Sequence, residues 1–98
     1  MDERAGIIVE ILTSKLYNKQ LIEILELLLH VDIKAMKNFK MYLDTIILNI
    51  QSKEKKYKKS IYFNNENIKD IQFQGCTIVF LVDNSNSRYV ILGITKKS

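Results

Sequence analysis

Hydrophobic positions along the chain change period twice, and each change marks a new kind of element. The opening run Ile7-Ile8-Val9-Glu10-Ile11-Leu12-Thr13 is short, β-branched and stopped by Ser14-Lys15, which predicts a first strand, apolar enough to suit a buried place in a sheet. From Ser14 to Val31 the spacing becomes helical. Tyr17, Leu21, Ile24, Leu25 and Leu28 form one stripe, and Lys19, Glu23, Glu26 and His30 fall on the opposite face. Asp32 is suited to cap a second helix, whose stripe is Ile33, Met36, Phe39, Leu43, Ile46, Ile47 and Ile50. With so little chain between the helices, around His30 to Ile33, they must lie antiparallel, and their shared apolar side requires a covering layer.

Beyond Ile50 the pattern turns polar. Gln51 to Lys59 reads as a frayed, charged connector, and the period then shortens to two. Strands are predicted at Ser60–Asn64, Asn67–Gln74 and Cys76–Val82, with a fourth at Arg88–Thr95. The turn-rich stretches Asn64–Asn67, Gln74-Gly75 and Asp83–Ser87 separate them at hairpin spacing. The order is β-α-α-β-β-β(-β), an α+β fold with an N-terminal helical hairpin on one face of a twisted antiparallel sheet. Cys76–Val82 is apolar on both alternating sets. Two helices cover only one face, so the other is expected to be partly exposed or met by a partner.

Composition narrows the class. At 98 residues and 47% apolar content the chain suits a single domain, residues 1–98, with one core. No apolar run reaches the roughly 18 residues that cross a bilayer, and the N-terminus is unlike a signal peptide, so a cytoplasmic location without membrane contact is expected. The lone cysteine, Cys76, has no internal disulfide partner, and one histidine offers no metal cluster, so neither metal nor cofactor is expected.

The net charge of +4 rests on 13 lysines and 2 arginines, which favours diffuse attraction to phosphate or an acidic protein over bidentate base readout. Lysines 53–59 are a candidate contact to RNA, DNA or an acidic segment, with a solvated connector as the plainer reading. His30, beside a helix C-terminus, reads as structural, and Cys76, alternating with Ile78 and Phe80, reads as a small buried residue. Arg88 at the head of the last strand suits either a phosphate contact or a salt bridge at the hairpin end.

The element order, together with Lys59-Ser-Ile-Tyr-Phe-Asn-Asn-Glu-Asn-Ile-Lys-Asp-Ile-Gln-Phe-Gln-Gly75 and the closing Tyr89-Val-Ile-Leu-Gly-Ile-Thr-Lys-Lys97, resembles the RelE/ParE superfamily of bacterial type II toxin-antitoxin systems. The resemblance covers nearly the whole chain in short, degenerate motifs. It implies a growth-inhibiting toxin of the plasmid-stabilisation type, held inactive by a cognate antitoxin. RelE-like members cleave messenger RNA on the ribosome, and ParE-like members poison DNA gyrase.

Metal-independent cleavage needs basic groups for the developing charge and a group that moves protons. Where the family's nucleases carry a Tyr-Arg pair this chain has Cys76-Thr77. Phe80 stands where a tyrosine is common, and Thr95-Lys96 where a histidine or tyrosine accompanies an arginine. The expectation is therefore a ParE-like toxin that acts by binding. The alternatives are a RelE-like endoribonuclease, with Lys96 and Arg88 as catalytic candidates, and an inactive relative kept as a binding module. Target or nucleic-acid contacts are expected from Lys55, Lys56, Lys58, Lys59, Arg88, Lys96 and Lys97. The expected partners are an antitoxin and, as target, DNA gyrase or the ribosome and its messenger RNA, with a homodimer left open.

Overall fold

Ser14 ends one element and begins the next. In the computed structural model, which describes residues 10–97, strand β1 spans Glu10–Thr13 and helix α1 spans Lys15–Val31. The Ser14 hydroxyl accepts from the Tyr17 N–H at 2.9 Å, capping α1, and donates to the Leu92 carbonyl at 2.8 Å. The expected residues Ile7 to Val9 of the first strand lie outside the described residues. The α1 stripe falls as the spacing requires, with Tyr17 and Leu21 buried and Ile24, Leu25 and Leu28 packed against the core.

Asp32 alone joins α1 to helix α2, Ile33–Leu48. Its N–H donates to the Leu28 carbonyl at 2.9 Å and its carboxylate accepts from the Lys34 N–H at 2.9 Å, so a single extended residue closes one helix and caps the other. Phe39, Leu43 and Ile47 are buried, whereas Ile33 is exposed and does not join the expected stripe.

The connector is more ordered than its charge suggested. Helix α3, Ile50–Lys53, and a 3-10 turn, Glu54–Lys56, lead to the two-residue strand β2, Lys58–Lys59. Ile50 is fully buried, and Tyr57 meets Phe80 edge-on with ring centroids 5.8 Å apart. One aliphatic and one aromatic side chain thus fasten a segment whose lysines face out.

The strand expected at Ser60–Asn64 does not form. The Tyr62 N–H goes to the Ser60 hydroxyl at 3.1 Å and the Ile61 N–H to Asp70 Oδ2 at 3.2 Å, while the Asn67 N–H goes to Asn65 Oδ1 at 2.8 Å. Side-chain acceptors here take the donors that a ladder would need.

The remaining strands, β3 (Ile68–Phe73), β4 (Cys76–Asp83) and β5 (Arg88–Lys96), form the expected meander. Gln74 and Gly75, both at positive φ (46° and 78°), make the two-residue turn between β3 and β4. Such turns match the right-handed strand twist.

The sheet order is β1-β5-β4-β3-β2, and β1 pairs with β5 in parallel, so the sheet is mixed where a purely antiparallel one was expected. The direction follows from counting reversals. The helical hairpin returns the chain so that β2 runs opposite to β1, and three further reversals leave β5 parallel to it. β1 is accordingly an edge strand, not an interior one.

Ile71, Phe73, Cys76, Ile78, Phe80, Val82, Tyr89, Ile91 and Ile94 face the helices. Ile91 and Ile94 are three residues apart and would point to opposite faces in a regular strand. A bulge restores them to one face, since Val79 pairs with Gly93 and Phe80 with Ile91, leaving Leu92 as the extra residue. Beyond β1, the outer edge of β5 is occupied by α1: the Ser14 N–H reaches the Ile91 carbonyl at 3.0 Å, and Gln20 Oε1 accepts from the Ile94 N–H at 2.9 Å. A Cβ on Gly93 would stand 2.8 Å from that same Gln20 oxygen, so glycine permits the approach.

Candidate functional site

The basic residues singled out in the sequence fall at separate places. Lys55 and Lys56 sit on the 3-10 turn and Lys58 and Lys59 on the edge strand β2, all exposed. Lys59 donates to Asn64 Oδ1 at 3.1 Å.

Arg88 opens β5 and pairs across the hairpin with Asp83, its Nε 2.9 Å from Oδ2. The side-chain bond from Asn86 and then this guanidinium hold the Asp83 carboxyl below its usual range. Lys96 lies at the other end of the nine-residue strand, opposite Cys76. At about 3.3 Å per residue, Arg88 and Lys96 stand roughly 26 Å apart. The two catalytic candidates therefore cannot act on one phosphate.

Glu54, Lys69 and Tyr89 make a polar cluster that the sequence did not reveal. Lys69 Nζ lies 3.0 Å from Glu54 Oε2 and donates also to the Glu54 carbonyl at 3.0 Å, and the Tyr89 hydroxyl donates to Glu54 Oε1 at 3.3 Å. Glu54 and Tyr89 share a hollow of about 200 Å³ with Asp83 and Arg88. Burial first, and then the charge of Glu54, push the Tyr89 phenol upward. Burial also raises the Cys76 thiol, against the pull of Lys96. Neither group is thereby made a better base or nucleophile at neutral pH. His30 is exposed on the last turn of α1. Among the described residues there is no group of three or more His, Cys, Asp or Glu placed to hold a metal ion.

Two apolar concavities lie elsewhere on the surface. A groove of about 430 Å³ runs between the C-terminal half of α1 and the end of β5, with Leu27, Leu28 and Val31 on one wall and Lys96 and Lys97 on the other. A cavity of about 260 Å³ opens on the second face of the sheet, between Leu16, Val79 and Leu92 on the fold and Tyr62 and Phe63 on the loop. The apolar run that holds Tyr62 and Phe63 predicts a strand. The surrounding Ser60, Asn64 and Asn65, all able to bond their own backbone, are the signal that would have marked a loop.

Neither a family model nor a curated protein matches the chain. Among solved structures, the chain is similar to one described as "Chromosomal ParDE TA system from P. aeruginosa", with a TM-score of 0.68 and 12% sequence identity. The likeness spans 92% of this chain and 97% of that one, and at this identity it is a likeness of fold.

Proposed function

We propose that this chain is the toxin of a ParE-like toxin-antitoxin pair, acting by binding a cellular target such as DNA gyrase and neutralised by a cognate antitoxin. The observation that carries the reading is the shared fold along nearly the full length of both chains, with a structure described as a ParDE system. The site geometry supports binding over cleavage. Arg88 is engaged by Asp83 and stands at the far end of β5 from Lys96, while burial holds the tyrosine and thiol nearest them in their protonated forms.

The antitoxin reading has a matching surface. The groove between α1 and β5, apolar along Leu27, Leu28 and Val31 and rimmed by Lys96 and Lys97, suits an acidic amphipathic segment.

Inducible expression in a bacterial host tests the proposal. The expected result is growth arrest, relieved by co-expressing the neighbouring small reading frame, with DNA-damage induction and intact transcripts. Purified protein should also inhibit gyrase supercoiling. Cut messenger RNA would support the RelE-like alternative, and unimpaired growth would support an inactive binding module.

A further inference from the structure

One segment carries as much net positive charge as the whole chain. Lys53–Lys59 contains five lysines and one glutamate, which equals the net +4 of the whole chain and leaves ten cationic and ten anionic side chains elsewhere. The one glutamate, Glu54, is turned inward to Lys69 and Tyr89. Two residues beyond the last of these lysines comes the longest run of consecutive exposed large apolar side chains among the described residues: Ile61 is 83% accessible, Tyr62 57% and Phe63 46%.

Local bonds fix the backbone of this run. The Ile61 N–H is fixed by Asp70 and the Tyr62 N–H by Ser60, so the exposure belongs to a built loop conformation. Consecutive exposed apolar residues beside polar ones mark interaction surfaces. Lys59, Tyr62 and Phe63 line an open concavity of about 530 Å³, and the same two rings form a wall of the 260 Å³ apolar cavity above Val79. Among the described residues, Gln20, Thr95 and the Tyr62 hydroxyl supply that cavity's polar side-chain groups.

We infer that Lys55, Lys56, Lys58 and Lys59, together with Tyr62 and Phe63, form a binding surface for single-stranded nucleic acid. Lys59, which lines the concavity with the two rings, takes a phosphate there, the other lysines add charge along the segment, and the rings stack bases at the mouth of the cavity. Cationic groups beside exposed aromatic faces are how proteins hold an unpaired strand without reading its sequence. A duplex, whose bases are already stacked, leaves the rings unused. This inference goes beyond the toxin reading and does not depend on it.

Fluorescence anisotropy of the purified full chain tests it, using labelled oligouridine and oligothymidine of about 12 nucleotides, within the span single-strand sites cover, and a duplex of equal length. The expected result is binding of one or both single strands at least tenfold tighter than the duplex. The preferred oligomer tells RNA from DNA. Tyr62→Ala with Phe63→Ala should weaken single-strand binding about tenfold or more. Tyr62→Leu with Phe63→Leu, which keeps apolar area but removes the rings, should weaken it comparably. Lys58→Gln with Lys59→Gln should flatten the salt dependence by about 1.4 in slope.

Equal affinity for duplex and single strand, or unchanged affinity in both ring variants, would overturn the proposal. So would tighter binding to polyglutamate or to anionic phosphatidylserine vesicles, which would assign the patch to an acidic protein or a lipid surface. Growth assays have no part in these readouts, so the inference and the toxin proposal stand or fall separately.

Discussion

The two faces of this sheet are finished differently. On the helix side Ile78, Phe80 and Ile91 have no accessible surface at all, and Phe80 is boxed by Tyr57 at 5.8 Å and Tyr89 at 6.0 Å. On the other side Thr77 and Val79 are buried too, yet what stands next to Val79 is a loop and an open apolar cavity. One face is closed by regular elements that bury their stripes. The other is met by Ser60–Asn67, a segment whose apolar side chains stay about half or more exposed while two of them wall an open cavity. The first difference to expect is energetic: substitutions on the helix face should cost stability, and those on the loop should cost only interaction.

Phe80→Ala is the sharpest test of the closed face. It removes a fully buried ring from between two others, so the expected loss is about 3–5 kcal/mol in urea unfolding. A loss below about 1 kcal/mol would mean that this face is as loosely covered as the other.

Alkaline titration probes the same face from α1. Burial, then the charge of Asp44, raises the Tyr17 phenol from 10.0 to about 12. The fold favours the protonated phenol, so the contribution is complete below pH 10 and is lost as pH climbs from 10 to about 12. At about 1.4 kcal/mol per pH unit of displacement, the drop across that window is on the order of 2 kcal/mol. Unfolding followed from pH 9 to about 12 should show it, and Tyr17→Phe should remove most of the slope. A slope unchanged in Tyr17→Phe would place the alkaline sensitivity elsewhere, with Tyr57 and Tyr89 as the next groups to replace, because burial raises both.

The seam between the faces is where α1 crosses the outer edge of β5. Gly93→Ala would push the Gln20 amide off the Ile94 N–H, since the new methyl would stand 2.8 Å from Gln20 Oε1. Leaving that donor unpaired is expected to cost about 1–2 kcal/mol. In a Gln20→Ala background the same substitution should cost much less, and a double-mutant cycle measures the coupling. Additive losses would show that glycine is needed there for a reason other than this amide.

How much of this was legible depends on whether the signal was local. The helical hairpin was readable because its determinants lie within a few residues: Asp32 is a cap, and Tyr17, Leu21, Phe39, Leu43 and Ile47 repeat at the helical period. The meander was readable for the same reason, with Gln74-Gly75 as its turn. The parallel β1–β5 pair joins residues nearly eighty positions apart, and no local pattern announces it. The bulge at Leu92 was equally hidden, because it depends on which β4 residue each β5 residue meets.

The connector lysines are exposed, as a solvated run requires, whereas the distribution of the cations over the fold was not legible. Only the register shows that Arg88 and Lys96 are a strand length apart. The loop was misread for a sharper reason: Ile61-Tyr62-Phe63 has the composition of a strand, and what cancels it is Asp70, a side chain on the neighbouring strand that takes a ladder donor.

That misreading supplies the smallest expected effect and the cleanest contrast. If Ile61, Tyr62 and Phe63 belonged to a sheet, replacing two of them would expose or void a core and cost several kcal/mol. As exposed loop residues, Tyr62→Ser and Phe63→Ser should each shift stability by no more than about 0.5 kcal/mol. The loop's own hydrogen bonds use the Ser60 hydroxyl, the Asp70 carboxylate and backbone N–H groups, none of which these substitutions touch. Thermal melts of both variants beside Asp70→Ala separate the possibilities. Asp70→Ala should be the more damaging, because it frees the Ile61 N–H while leaving both rings in place. If instead the ring variants melt far earlier than Asp70→Ala, the rings are packing residues of the second face, and the two faces differ less than their coverings suggest.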